Sequence, residues 1–292
     1  MRFQTTMLVL PALLVFGGLG GRSEVATAGT LFVDNLSGDD SFDGSAPIAQ
    51  GIRIGPVRTI RRAMQRARKG DEINIVNNGT PYYESFSLVG GRHSGYPGAP
   101  FVIEGNGCII SGARAVPAAA WQPLPGFIWK LSLWKKSHAQ LLLGQTVVPE
   151  LPLPRKARWL PEIPQGKWCL WKGAIYYQAQ RKEDPREKPF AFAYDAVGIT
   201  LYRVRHVRIR NLTLRHFRLD GVNGPDFNRD VTLESVTTVA NGRSGLIIGG
   251  TSEVLLRDCD VSDNRKHQVL IRGLSILRTE ESRLSAPPEF ID

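Results

Sequence analysis

One pattern returns about every 23 residues between Val207 and Leu284, and it constrains the fold more than any other feature of the chain. Its lines read Val207-Arg-Ile-Arg-Asn-Leu-Thr-Leu214, Val231-Thr-Leu-Glu-Ser-Val-Thr-Thr238 and Val254-Leu-Leu-Arg-Asp-Cys-Asp-Val261, with a fainter Leu277-Arg-Thr-Glu-Glu-Ser-Arg-Leu284. A second register runs in phase: Gly221-Val222, Gly245-Leu-Ile-Ile248 and Gln268-Val-Leu-Ile271; Asn241 and Asn264 also coincide. A period of this size belongs to a solenoid, whose units bury their apolar faces only by stacking on one another. Each line alternates apolar and polar residues over a short β-branched run, a strand signal. The polar residue at Asn211, Ser235 and Asp258 breaks each line at a bend. Short strands without intervening helices, and without a leucine-rich consensus, predict a right-handed parallel β-helix.

Residues 1–28 carry the marks of an export signal. Arg2 supplies the charge, Met7–Phe16 the apolar core, and Ala26-Thr27-Ala28 a small-residue cleavage site. The apolar run is too short for a bilayer span, so the expected location is secreted or periplasmic, with cleavage after Ala28. A net charge of +10 points to an acidic partner. An exported chain without a nucleic-acid-binding motif favours acidic polysaccharide over nucleic acid. The three cysteines, Cys108, Cys169 and Cys259, form no CxxC pair and predict no disulfide framework.

The segment Gly38-Asp-Asp-Ser-Phe-Asp-Gly-Ser45 places three acids in a loop. Calcium is one reading of such a loop; turns in which Asp side chains cap their own backbone are the other. The following stretch, Pro56 to Gly70, sets Ile60, Ala63, Met64 and Ala67 on one stripe among arginines. It predicts an amphipathic helix of about three turns that caps the N-terminal end of the solenoid.

Several of these runs together resemble exported bacterial β-helix proteins of the pectate-lyase-like superfamily: Leu-Phe-Val-Asp34, the Gly-Asp-Asp…Asp-Gly-Ser loop, Gly-Pro-Val-Arg-Thr-Ile60, Lys-Gly-Asp-Glu-Ile73 and Val-Ile-Glu-Gly105 through Ile-Ile-Ser-Gly112. With the repeats, the resemblance covers residues 30–112 and 196–284. It implies the β-helix fold and a carbohydrate-related role. The superfamily holds lyases, hydrolases, epimerases and non-catalytic proteins, and the catalytic signatures of its hydrolases, epimerases and calcium-dependent lyases are missing here.

The expected organisation is therefore a signal peptide (1–28), an N-terminal cap and first coils (29–112), an insertion (113–196) and C-terminal coils (197–292). The insertion holds all six tryptophans and ten of the 19 prolines. Hairpins are expected around Gly144 and Gly173, making a small antiparallel β unit in which most tryptophans form core and some could stack on sugars.

In a stacked solenoid, residues one period apart lie side by side, so chemistry is sought down columns. One cluster stands out, with Asp220 above Ser244 and His267, His216 above Ala240 and Asp263, and Arg218, Arg243 and Lys266 nearby. β-Elimination on a polyuronate needs a cation for the carboxylate, a base, and a donor to the leaving oxygen. Arg218 or Arg243 could bind the carboxylate, Lys266 or His267 act as base, and His216 donate. Hydrolysis would instead pair Asp220 with Asp226 or Asp263. The alternative is a charged rim on a non-catalytic envelope or interaction module, possible as a shortened relative of a lyase or hydrolase. Ile247 and Leu270 are apolar in outward phases, so an exposed apolar face, or an uncapped last coil, could support association with another chain.

Overall fold

A computed structural model describes residues 28–132, 137–154 and 156–291. The proposed signal peptide, apart from Ala28, and Trp134 fall outside the described residues.

The repeat folds as a parallel β-helix. One parallel sheet stacks Thr30–Val33, Glu72–Ile75, Phe101–Ser111, Arg205–Arg215, Arg229–Val239, Glu253–Arg257 and Ile276–Glu280 in that order; Asp260–Ser262 and Arg283–Leu284 extend the last two rungs. This sheet is creased along its length. Asn106, Asn211, Ser235, Asp258 and Glu281 all take left-handed backbone conformations, with φ between 49° and 56°, at the same place in successive rungs. Such a conformation costs a non-glycine residue about 1 kcal/mol or more, least for Asn and Asp. Neighbouring rungs offset part of that cost: the Asn211 amide donates to Glu104 at 2.9 Å, and the Ser235 hydroxyl to Asp258 at 2.9 Å. The crease turns one sheet into two sides of the coil.

A second parallel sheet forms the third side, in the order Phe86–Val89, Val197–Tyr202, Asp220–Asp226, Ser244–Ile248, His267–Arg272 and Glu289–Ile291. Apolar residues of the three sides meet inside. Val207, Ile209, Leu212, Leu214, Phe217 and Val222 belong to one continuous buried core with their counterparts in adjacent rungs.

The helix at the N-terminal end is shorter than its apolar stripe predicts, spanning Ile60–Arg66. Thr59 is its N-cap, accepting from the Arg62 N–H, and Ala67 already has extended backbone, with ψ 144°. Glu84 completes the cap by accepting from the N–H groups of Ile60 and Arg61. Ile60, Ala63 and Met64 are buried against the first coil. The acidic loop is knitted into this cap. Asp34, Asp39 and Asp43 accept from backbone N–H groups two residues on, while Asp40 binds Arg58 and Thr59. Among the described residues no three His, Cys, Asp or Glu side chains converge as metal ligands.

The chain leaves the stack after Ser111 and resumes it beside the rung it left, since Val207 pairs with Phe101 and Leu212 with Cys108. The excursion forms two four-stranded antiparallel sheets. One orders Trp168–Trp171, Ala174–Gln178, Ile128–Ser132 and Trp121–Leu124; the other orders Ala113–Ala115, Phe190–Ala193, Leu141–Leu143 and Thr146–Val147. Trp121, Trp129 and Trp168 pack into its core with Tyr177 and Phe190, whereas Trp159 is 82% exposed. The outward Ile247 and Leu270 are not an exposed face, being only 4% and 1% accessible. That correction follows from tertiary cover, which a strand pattern does not reveal. No helix among the described residues is long and apolar enough to cross a membrane.

Candidate functional site

The column cluster around Asp220 forms at the predicted edge of the stack, but most of its groups have structural partners. Asp220 is fully buried and makes a two-pronged ion pair with Arg243, Nε to Oδ1 at 2.9 Å and Nη2 to Oδ2 at 2.5 Å. Asn223 donates to the same carboxylate. The hydrogen bonds that Arg243 donates to Asp220 raise the pKa of its guanidinium. His216 is buried on a left-handed turn, φ 59°, and burial next to Arg215 lowers its pKa to about 4. A buried neutral imidazole of this kind is ill placed to protonate a leaving group. His267 Nδ1 lies 2.7 Å from Glu289, though without hydrogen-bond alignment. Lys266 and Asp263 are exposed.

The insertion docks on this same edge. Arg218 donates to the Ser137 hydroxyl at 2.6 Å and Arg215 to Gln145 at 2.7 Å. His138 Nδ1 donates to the Gly242 carbonyl at 3.1 Å, and Arg265 reaches both the Ala139 carbonyl and Glu150. Gly242 permits the approach, because a Cβ there would stand 2.4 Å from the Arg218 carbonyl oxygen and 2.8 Å from that of His138. Beneath the seam, Asn241 and Asn264 form a buried amide ladder. Asn264 Oδ1 accepts from both the backbone and side-chain N–H of Asn241, and Asn241 Oδ1 accepts from the Phe217 N–H. The asparagine coincidence in the sequence is thus a structural spine.

An open constellation lies instead on the first side of the creased sheet. His206 and Asp230 occupy adjacent rungs at one position, flanking the Val207–Val231 pair. His206 Nδ1 and Asp230 Oδ2 are 2.6 Å apart at the surface. His206 and Asp230 both take left-handed backbone, φ 53° and 51°, and their side chains share one surface depression with Arg208. Arg208 has no ion-pair partner among the described residues, unlike Arg210 and Arg257 in the next column, which pair with Glu104 and Glu280. A shallow depression brings Tyr96, Gly98 and Pro100 to His206, Arg208 and Asp230. Tyr96 is 47% exposed, and Lys69 Nζ sits 3.9 Å from its ring centroid. The face continues across Thr232 and Leu255 to Arg278.

Sequence reading missed this face although its signal was present. His206 and Asp230 are one period apart, yet they precede the repeating line rather than following it, outside the columns that drew attention. Tyr96 comes from a loop more than a hundred residues earlier, and only the stacking of the first coils brings it there.

No protein-family model matches the chain, and no curated protein sequence matches it. Among solved structures it is similar to the complex of XylC with xylose, with a TM-score of 0.59 and 10% identity over 87% of this chain and 58% of that one. It is also similar to a glycoside hydrolase, with a TM-score of 0.57 and 12% identity over 84% of this chain and 67% of that one. The likeness at such identities is one of fold. The chain therefore spans 58% of the length of XylC.

Proposed function

We propose that the protein is an exported member of the pectate-lyase-like superfamily that binds an acidic polysaccharide across the first side of its creased sheet, and that Tyr96, His206, Arg208 and Asp230 form its β-elimination site. The reading rests on one observation above all: the His206–Asp230 pair at 2.6 Å beside a guanidinium without an ion-pair partner on the same exposed face.

The chemistry has a place for each group. Arg208 neutralises the uronate carboxylate and so acidifies the adjacent C5 proton. Asp230 orients His206 through Nδ1, leaving Nε2 to take that proton. The C–H electron pair becomes the C4–C5 double bond as the C4–O bond breaks, and the Tyr96 hydroxyl protonates the departing oxygen. Solvent exchange restores Tyr96 and His206. Lys69 and Arg208 also supply positive charge along the polymer's path.

The test is a panel of alginate, pectate and glycosaminoglycans, followed by ultraviolet absorbance of unsaturated uronate. His206→Ala should abolish product while preserving binding, and Arg208→Ala should weaken binding. If a polymer binds with steep salt dependence, lost in Arg208→Ala, but none is cleaved, the protein is a non-catalytic binding module. If no acidic polymer is bound or cleaved, the reading fails.

A further inference from the structure

The N-terminal end of the stack combines two chemistries on one surface. Residues 44–57 run along the free edge of the first strand. Phe32 donates to the Gly44 carbonyl at 2.8 Å, Val57 donates to the Phe32 carbonyl at 2.9 Å, and Asp34 donates to the Val57 carbonyl at 2.9 Å. With the capping helix, this segment makes an end surface beyond the first coil. A turn at 50–54 stands on it, closed by the Gln50 N–H to the Ile54 carbonyl at 2.9 Å and braced by the Asp43 N–H to the Arg53 carbonyl at 2.8 Å. Arg53 takes a left-handed conformation, φ 64°. Held in this shape, the segment leaves Ile48 71%, Ile52 93% and Ile54 42% exposed. A single exposed isoleucine is ordinary on a protein surface, but three so close in the chain make an apolar tip.

The same end is basic. Residues 44–70 include seven Arg and Lys and no Asp or Glu. Arg53, Arg58, Arg61 and Arg68 are exposed. Arg58, Arg62 and Arg66 donate to the carbonyls of Gly38, Asp40 and Phe42, contacts that fix the guanidiniums without cancelling their charge. The acids set against them are Asp39, Asp40, Asp43 and Glu84. Of these, Asp40 and Glu84 are turned onto N–H groups at the start of the helix, so the cations remain in excess. An acidic polysaccharide would satisfy the charges and leave the isoleucines in water. A bilayer with anionic headgroups satisfies both, because its hydrocarbon begins just below the charged layer. The geometry points to this end as a peripheral docking surface for an anionic lipid bilayer, with the isoleucine tip in the headgroup boundary and the arginines on lipid phosphates. It is a different surface from the proposed polymer site, which lies along the side of the stack.

The test uses the chain from Gly29 onward, which holds every strand and helix described, so that the apolar run 7–16 cannot itself bind lipid. Cosedimentation compares vesicles of equal parts phosphatidylglycerol and phosphatidylcholine with vesicles of phosphatidylcholine alone. Because Cys108, Cys169 and Cys259 are buried, Ile52→Cys takes an environment-sensitive fluorophore selectively. Leu274→Cys, at a position 83% exposed in the last coil, carries the same label at the other end. The expected result is binding to the anionic vesicles about tenfold tighter than to the neutral ones, with a blue shift of the label at 52 and none at 274. Ile48→Ser/Ile52→Ser, shown to be folded by circular dichroism, should bind about tenfold more weakly, and Arg53→Glu should weaken binding as well. The inference is overturned if the anionic vesicles are not bound, if both labels respond alike, or if the double serine variant binds as well as the parent, which would leave charge attraction alone. It is also overturned if sedimentation velocity without lipid shows a dimer that the double serine variant dissolves, since the tip would then belong to a second copy. Arg208→Ala should leave vesicle binding unchanged, and the double serine variant should leave acidic-polymer binding unchanged, so failure here is distinct from failure of the polymer site.

Discussion

At the scale of single residues, the buried charges and imidazoles make stability depend on their partners and on pH. Removing one member of a buried ion pair leaves the other without its counter-charge, at a cost of about 3–5 kcal/mol. Asp220→Ala should fall near the lower end, since Arg243 keeps 26% of its side chain exposed and can reach water. Urea denaturation measures the loss. His216 gives a pH signature. Its pKa is about 4 in the folded protein against an ordinary 6.5. Between those values the unfolded chain binds a proton that the folded one refuses, so stability falls as pH drops from 6.5 towards 4. Below that range both states are protonated and the loss is complete, on the order of 3 kcal/mol. His216→Asn, which tolerates the left-handed turn, should reduce the stability difference between pH 7.5 and 4.5 by about that amount in paired urea titrations.

At the scale of elements, the asparagine ladder and the glycine beneath the seam carry separable roles. Asn264→Ala withdraws the acceptor from two N–H groups of Asn241. Each buried donor left unsatisfied costs roughly 1–3 kcal/mol, so denaturation of the coils should shift by at least the lower figure. Gly242→Ala acts on the seam, because its Cβ would collide with backbone oxygens of both Arg218 and His138. The insertion should then dock less tightly, giving faster limited proteolysis within 113–196 than in the parent, while far-ultraviolet circular dichroism of the coils stays the same. If cleavage rates match those of the parent, the Gly242 contact is not what holds the insertion in place.

Across the whole molecule, stability comes from stacking and not from covalent ties. All three cysteines are free and buried, and burial pushes Cys108 up to about 12 and Cys169 up to about 11. A thiol so raised is almost wholly protonated at neutral pH and unreactive. A thiol reagent should modify none of the three in the native protein and all three in denaturant, and reducing agents should leave the melting temperature unchanged. Acidic-polymer binding to a chain of net charge +10 should weaken steeply with added salt, as surface charges are screened beyond about 10 Å at 0.1 M.

The period of Val207–Leu284 sufficed for the architecture, because a repeating apolar phase admits only one way for each unit to bury its face. The crease residues Asn211, Ser235 and Asp258 were legible for the same reason, as were the capping stripe of Ile60, Ala63 and Met64 and the glycine-centred hairpins. Which polar columns stay open was decided only by tertiary structure. The period placed Asp220, Arg243 and His267 together correctly, but it held no information on the Arg243 ion pair or on an insertion docking over Arg218 and Arg265. Nor could it show that Tyr96 comes to lie beside His206. A repeat records how the coils stack on one another; which side chains are then covered depends on segments that do not repeat.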